Sequence, residues 1–159
     1  MSPPIPEPVI LQGPKDSSLN AAVVGCGGTG CNILAEGELA KVMTTIAIGS
    51  EPRTMASLKV DKSFIADPRK LESCASVSAK SLKLAGNELE KELSSYLEDV
   101  DITFILAGLG GLSGGWGAVL ASRASVVSKG FGFCVASVPF SVEGGSRKDR
   151  ATAQLKTLV

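Results

Sequence analysis

The sequence predicts an α/β fold, a doubly wound and mainly parallel sheet with helices on both faces. Three observations predict it. Apolar runs of strand length alternate along the chain with helical patterns. The strands are apolar on both faces, as strands covered from both sides are. Glycine-rich or turn-forming stretches follow three of these strands, at the ends where open α/β sheets carry their ligand loops. At 159 residues the chain fits one domain, which buries roughly two-thirds of the surface its unfolded form exposes.

Five of the eight prolines fall in the first 14 residues, so residues 1–18 are expected to be a flexible Pro-rich tail and residues 19–159 the domain. A short buried strand is predicted over residues 21–24, a glycine turn next, and a helix over 31–43 with Gly37 as its weak point. Residues 44–48 read as a second strand, 54–59 as a short helix and 63–66 as a short strand. Leu82, Ala85, Leu89, Leu93 and Leu97 recur at steps of three and four between charged residues, which predicts a helix with one core-facing stripe. Strands at 100–107 and 131–138 and helices at 119–128 and 149–158 complete the pattern.

Composition excludes several functions. Lys+Arg and Asp+Glu both number 16, so no basic excess marks a nucleic-acid or anionic-lipid surface. The chain has no histidine, which removes imidazole general bases, Ser-His-Asp triads and imidazole metal ligands. Cys26, Cys31, Cys74 and Cys134 form no Cys-x-x-Cys pair and no cleavable signal opens the chain, so a cytoplasmic, reducing location without a metal site is expected. Residues 102–122 carry no charge, but six glycines interrupt them, predicting a strand, a turn and a helix start rather than a membrane span.

The chemistry concentrates in three loops. Gly25-Cys26-Gly27-Gly28-Thr29-Gly30 matches G-x-G-x-x-G between a strand and a helix, where backbone amides and the helix dipole favour an anion. Glu51, after the second strand, offers the acid that an NAD-binding module uses on its ribose. A second glycine loop at 107–117, containing Gly108, Gly110, Gly111, Ser113 and Gly114, follows another strand and can bring its amides to the same crevice. Trp116 within it reads as an interface anchor or as packing. In the third loop, residues 139–147, Glu143 can accept from ribose hydroxyls and Arg147 can meet phosphate or base; the bland alternative is a surface ion pair.

Together these loops resemble the amino-terminal, nucleotide-binding half of the FtsZ/tubulin GTPase superfamily, and FtsZ in particular. "VVGCGGTGCN" is similar to its first phosphate loop, "GLGGLSGG" to its signature G-G-G-T-G-[TS]-G and "PFSVEGGSR" to its ribose loop P-F-x-x-E-G-x-x-R, in the family's order. The resemblance implies a Rossmann-related GTPase-domain fold over residues 21–159, shortened before the family's central helix. It implies GTP or GDP as ligand, with Gly27, Gly28, Thr29, Gly30 and Asn32 lining the first loop and Asn32 near the base. Gly110, Gly111, Ser113 and Gly114 would cradle phosphates, and Glu143 would hold the ribose beside Arg147.

The chain also departs from the family. Gly115-Trp116 stands where the signature continues Thr-Gly, placing an indole beside the phosphate cradle, and Gly49-Ser50-Glu51 stands for Asn-Thr-Asp. No counterpart of the family's Gly-Ala-Gly-Gly loop occurs in residues 67–79, and its catalytic acidic loop is not reached. The expectation is a non-hydrolysing regulator, scaffold or complex subunit. Alternatives are a GTPase whose catalytic acidic loop is supplied by a partner or lies outside this sequence, an NAD-binding module, and an interaction protein with no ligand. The strand at 131–138 is expected to form an apolar sheet edge that drives homo-oligomerisation or binds a protein partner.

Overall fold

The computed structural model describes residues 18–67 and 87–158. Its elements are β1 (Ala21–Cys26), α1 (Gly27–Ala35), a short 3-10 turn (Leu39–Lys41), β2 (Thr44–Gly49), α2 (Pro52–Ser57) and β3 (Lys62–Ile65). There follow α3 (Asn87–Tyr96), β4 (Ile102–Gly108), α4 (Leu112–Val127), β5 (Phe131–Ser137), a 3-10 turn (Ser141–Glu143) and α5 (Gly145–Leu158). Among the described residues the five strands form one sheet in the order β3-β2-β1-β4-β5, and every neighbouring pair is parallel. This is the predicted α/β architecture. Residues 1–17 of the expected tail, Leu82, Ala85 and Cys74 lie outside the described residues.

Alternate residues of each strand serve opposite layers, as the period-two pleat requires. On one face Val24, Cys26, Ile46, Ile48 and Ile105 pack with Ala118, Ala121 and Ala124 of α4 and with Leu93 and Leu97 of the α3 region. The alanines let α4 lie close against the strands. On the other face Val23 and Ala47 meet Cys31 and Leu34 of α1 and Met55 of α2. Leu93 and Leu97 are fully buried, so the predicted leucine stripe does face the core.

Three helices begin a full turn or more earlier than the sequence predicts. α1 starts at Gly27, α4 at Leu112 and α5 at Gly145, because glycines that read as loop from propensity form the helices' own first turns. Trp116 is corrected with them. It lies inside α4, shares a face with Leu112 and Leu120 at helical spacing, and is buried against Ala66 and Leu89. The indole is therefore core packing, not a loop anchor.

Two polar ties set the ends of the strands. At the start of β1 and β4, Asn20 N donates to Asp101 Oδ2 at 2.9 Å, and Asn20 O accepts from the amides of Asp101 and Ile102. At the start of β2 and β3, the Asp61 carboxylate accepts from Thr45 N at 2.7 Å and from Thr45 Oγ1 at 2.8 Å, which holds its pKa below the ordinary carboxylate value. A carboxylate so depressed contributes stability above its unfolded pKa of about 3.9 and loses it as pH falls through the folded value. Asp61→Asn is expected to cost about 1 kcal/mol near neutrality, the modest worth of an exposed carboxylate's hydrogen bonds. In thermal melts the gap from wild type should close below about pH 4; a constant gap across that range would show that the charge is not responsible.

β5 is a sheet edge among the described residues and is exposed on both faces. Phe131, Phe133 and Val135 share a face with Phe104 of β4, and the Phe104 and Phe133 rings stack with centroids 6.1 Å apart. Phe131 is 73% and Val135 63% exposed, so the expected apolar edge is present. Among the described residues no helix is long and apolar enough to cross a membrane.

Candidate functional site

β1 and β4 are adjacent and parallel, so their carboxyl ends deliver both glycine loops to one place. A Cβ on Gly27 would lie 2.6 Å from Gly114 N and 3.2 Å from Ser113 Oγ, and a Cβ on Gly108 would overlap Thr29 Oγ1. The two loops touch backbone to backbone. Gly27 has φ +67°, a left-handed conformation that favours glycine, and it turns the chain from β1 into α1. Helix and sheet then press together, since a Cβ on Gly30 would collide with Leu106 O and with the Gly25 backbone 2.8 Å away.

Both helices start without a capping side chain. Cys26 caps α1 and Gly111 caps α4 in extended conformation, and neither makes a side-chain cap hydrogen bond. The first-turn amides of a helix have no intrahelical acceptors, so two sets of N–H groups and two positive dipole ends converge at this point. No acidic residue occupies either first turn.

The glycines here divide into two kinds. Gly25, Gly27, Gly30, Gly108 and Gly114 are dictated by packing, since a Cβ on any of them meets protein atoms at contact distance or closer. Gly28 and Gly111 are different: a Cβ on Gly28 would meet nothing within 4 Å and one on Gly111 only Gly108 O at 4.0 Å. Asn32, one turn after Gly28, is exposed on α1.

The third loop joins the second at Gly110, whose φ is +86°; a Cβ there would lie 2.7 Å from Arg147 O and 3.3 Å from Pro139 Cγ. Glu143 turns back into its own loop, with Oε1 accepting from Phe140 N at 2.8 Å and Oε2 paired with Arg147 Nη1 at 3.0 Å. Such a surface pair is worth less than about 1 kcal/mol, so a ligand hydroxyl can displace it at small cost.

Sequence reasoning missed two residues of α5. Gln154 Oε1 accepts from Gly110 N at 2.8 Å, Gln154 Nε2 donates to Gly111 O at 2.9 Å, and Arg150 Nη1 donates to Gly110 O at 2.9 Å. The Gly110 amide, expected to face phosphate, is thus engaged by Gln154. Nothing in the sequence signals these partners beyond their one-turn spacing on a polar helix. Trp116, expected beside the cradle, is turned away from it toward Ala66.

Glu51, the acid of the NAD reading, is exposed and occupies the N-cap position of α2 at the end of β2. Burial raises the pKa of Cys26 well above its ordinary value, with smaller contributions from Cys31 and Cys134, and burial raises that of Cys31 as well. Both cysteines of the first loop are therefore neutral packing groups, not thiolate nucleophiles. Among the described residues no three His, Cys, Asp or Glu side chains cluster as metal ligands.

No family model matches the chain. It is similar to cell division protein FtsZ of Haloferax mediterranei, 28% identical over 147 residues that make up 91% of this chain and 39% of that protein. FtsZ 1 of Pyrococcus furiosus is 30% identical over 142 residues, 86% of this chain and 38% of its own. The chain thus spans about two-fifths of the length of these curated relatives. Among solved structures, an empty FtsZ dimer from M. jannaschii superposes with a TM-score of 0.74 at 26% identity, over 91% of this chain and 43% of that one. CetZ from Methanosaeta thermophila, at 21% identity and a TM-score of 0.68 over 89% of this chain and 43% of its own, shares the fold.

Proposed function

We propose a function from one premise: this chain belongs to the FtsZ/tubulin GTPase superfamily and corresponds to the amino-terminal part of its members. It binds GTP or GDP through the phosphates, at the junction of the α1 and α4 N-termini, and acts as a non-hydrolysing regulator, scaffold or complex subunit in the cytoplasm. The observation that carries this is the open pair Gly28 and Gly111. The fold leaves space for a side chain at both, and the sequence supplies none, so that an anion can reach the backbone amides. Ser113 Oγ adds a hydroxyl, Glu143 and Arg147 serve the ribose side, and Asn32 lies toward the base. Guanine as the base rests on the family alone.

The non-hydrolysing assignment rests on the sequence, in which residues 67–79 hold no counterpart of the Gly-Ala-Gly-Gly loop that senses the terminal phosphate in the family it resembles. The test is to denature the purified protein, identify any released nucleotide, and titrate GTP, ATP and NAD into emptied protein by calorimetry. Binding of GTP alone supports the reading. NAD binding would transfer the site to the dinucleotide alternative, absence of all binding would leave an interaction protein, and steady GTP turnover by the isolated chain would defeat the non-hydrolysing role.

The β5 edge supports association with a second copy or a protein partner. From Phe131 to Phe140 the chain carries no charge to discourage edge pairing. Phe133→Lys, on an exposed face where the fold tolerates a charge, is expected to shift the protein to monomer in light-scattering chromatography at micromolar concentration. A wild-type protein already monodisperse and monomeric under those conditions would remove self-association from the proposal.

A further inference from the structure

The α5 side chains that grip the second glycine loop are not explained by packing alone. Peptides on either side of a glycine with φ +86° rotate easily in isolation, and here each is held by one hydrogen bond, at Gly110 N and Gly110 O, with a third on the following carbonyl, Gly111 O. Gln154 reads the Gly110–Gly111 unit from both sides, accepting from one N–H and donating to the next C=O. Its amide orientation is fixed by this pairing, because exchanging Oε1 and Nε2 would set donor against donor and acceptor against acceptor. Arg150, one turn earlier on the same face, holds the remaining carbonyl, that of Gly110.

Passage for the glutamine is provided by α4. A Cβ on Gly115 would overlap the Gln154 amide, with Nε2 only 2.6 Å away. Gly115 sits inside a helix, where glycine is otherwise unfavourable relative to alanine, and the room it leaves is filled by Gln154.

We infer that Gln154, admitted by Gly115, is a positioning residue of the nucleotide site: it turns the Gly110 amide away from the anion and locks the loop so that the first-turn amides of α4 face it. The inference rests on the nucleotide reading above. A glutamate at 154 could keep the bond from Gly110 N but, ionised, could not donate to Gly111 O. Alanine at 115 reaches the same broken state from the other side, because it displaces only the flexible end of a side chain.

The test compares Gln154→Ala, Gly115→Ala and the double variant with wild type, using GTP calorimetry and amide hydrogen exchange read at individual residues by NMR. Each single variant should stay folded and bind GTP about tenfold more weakly or worse, the scale of losing a pair of ordered hydrogen bonds. The double variant should be no weaker than the worse single, because both changes break one contact. Exchange at Gly110 N–H should accelerate in all three while the remaining amides of α4 and α5 keep their protection; a merely structural loss would accelerate both helices alike. Unchanged Gly110 exchange in Gln154→Ala, wild-type GTP affinity in either single variant, or multiplicative losses in the double would each overturn the inference. A wild-type protein that binds no GTP would overturn the nucleotide reading and this inference together, whereas binding retained in the variants overturns this inference alone.

Discussion

Gly30→Ala is expected to lower the thermal midpoint by about 6–12 °C, because overpacking against backbone costs about 3 kcal/mol and each kcal/mol moves a domain of this size by about 2–4 °C. The added methyl would meet Leu106 O and the Gly25 backbone. These are main-chain atoms of the central strands and cannot swing aside as a side chain can. Relief would require α1 to lift off β1 and β4, taking Thr29 from its contact with Gly108 and separating the two glycine loops. Circular-dichroism melts and urea titrations measure the loss. A variant melting within 2 °C of wild type, about 1 kcal/mol or less, would show that α1 is not seated as closely as described.

Gly28→Leu and Gly111→Leu should give the opposite separation, with the fold kept and the ligand lost. Both positions accept a Cβ without a clash. Leucine also improves the helical propensity of α1 at Gly28 by roughly 1 kcal/mol. Their midpoints should therefore stay within about 3 °C of wild type. GTP affinity should fall by about 100-fold or more, since the isobutyl group fills the approach to several charge-assisted hydrogen bonds, each worth about 1.5–3 kcal/mol. Calorimetry on emptied protein reads the difference, and undiminished affinity in both variants would rule out phosphate contact at these amides. Set beside Gly30→Ala, the pair separates glycines kept for the fold from glycines kept for the ligand.

The strands were legible because apolar runs such as those at 44–48 and 100–107 serve a sheet covered on both sides, and burial is written directly into composition. The loops were legible because glycine between a strand and a helix has few other uses. Helix starts were not. α4 carries Gly114, Gly115 and Gly117 in its first turns, and a propensity argument discounts each. They are tolerated because α4 packs so closely that a Cβ on Gly117 would lie 3.2 Å from both Cys26 Cβ and Ile48 Cγ2, a tertiary demand with no local signature. The same glycines make Trp116 read as a loop residue, whereas its register with Leu112 and Leu120 places it on the buried face of α4. Gln154 and Arg150 were invisible for a further reason. Their partners are main-chain groups 40 and 44 residues away, for Arg150 to Gly110 and Gln154 to Gly110, and backbone atoms leave no trace in side-chain pattern.

The central place of β1 governs the order in which the chain can acquire its shape during synthesis. β1 leaves the ribosome well before β4, yet one of its flanks stays unpaired until β4 has emerged, with Ala21 against Ile102 and Cys26 against Ala107. Pairings of such long sequence separation are slow to form. A nascent chain halted before residue 102 therefore presents the open side of its future central strand, an unpaired apolar edge of the kind that makes incomplete chains prone to aggregate.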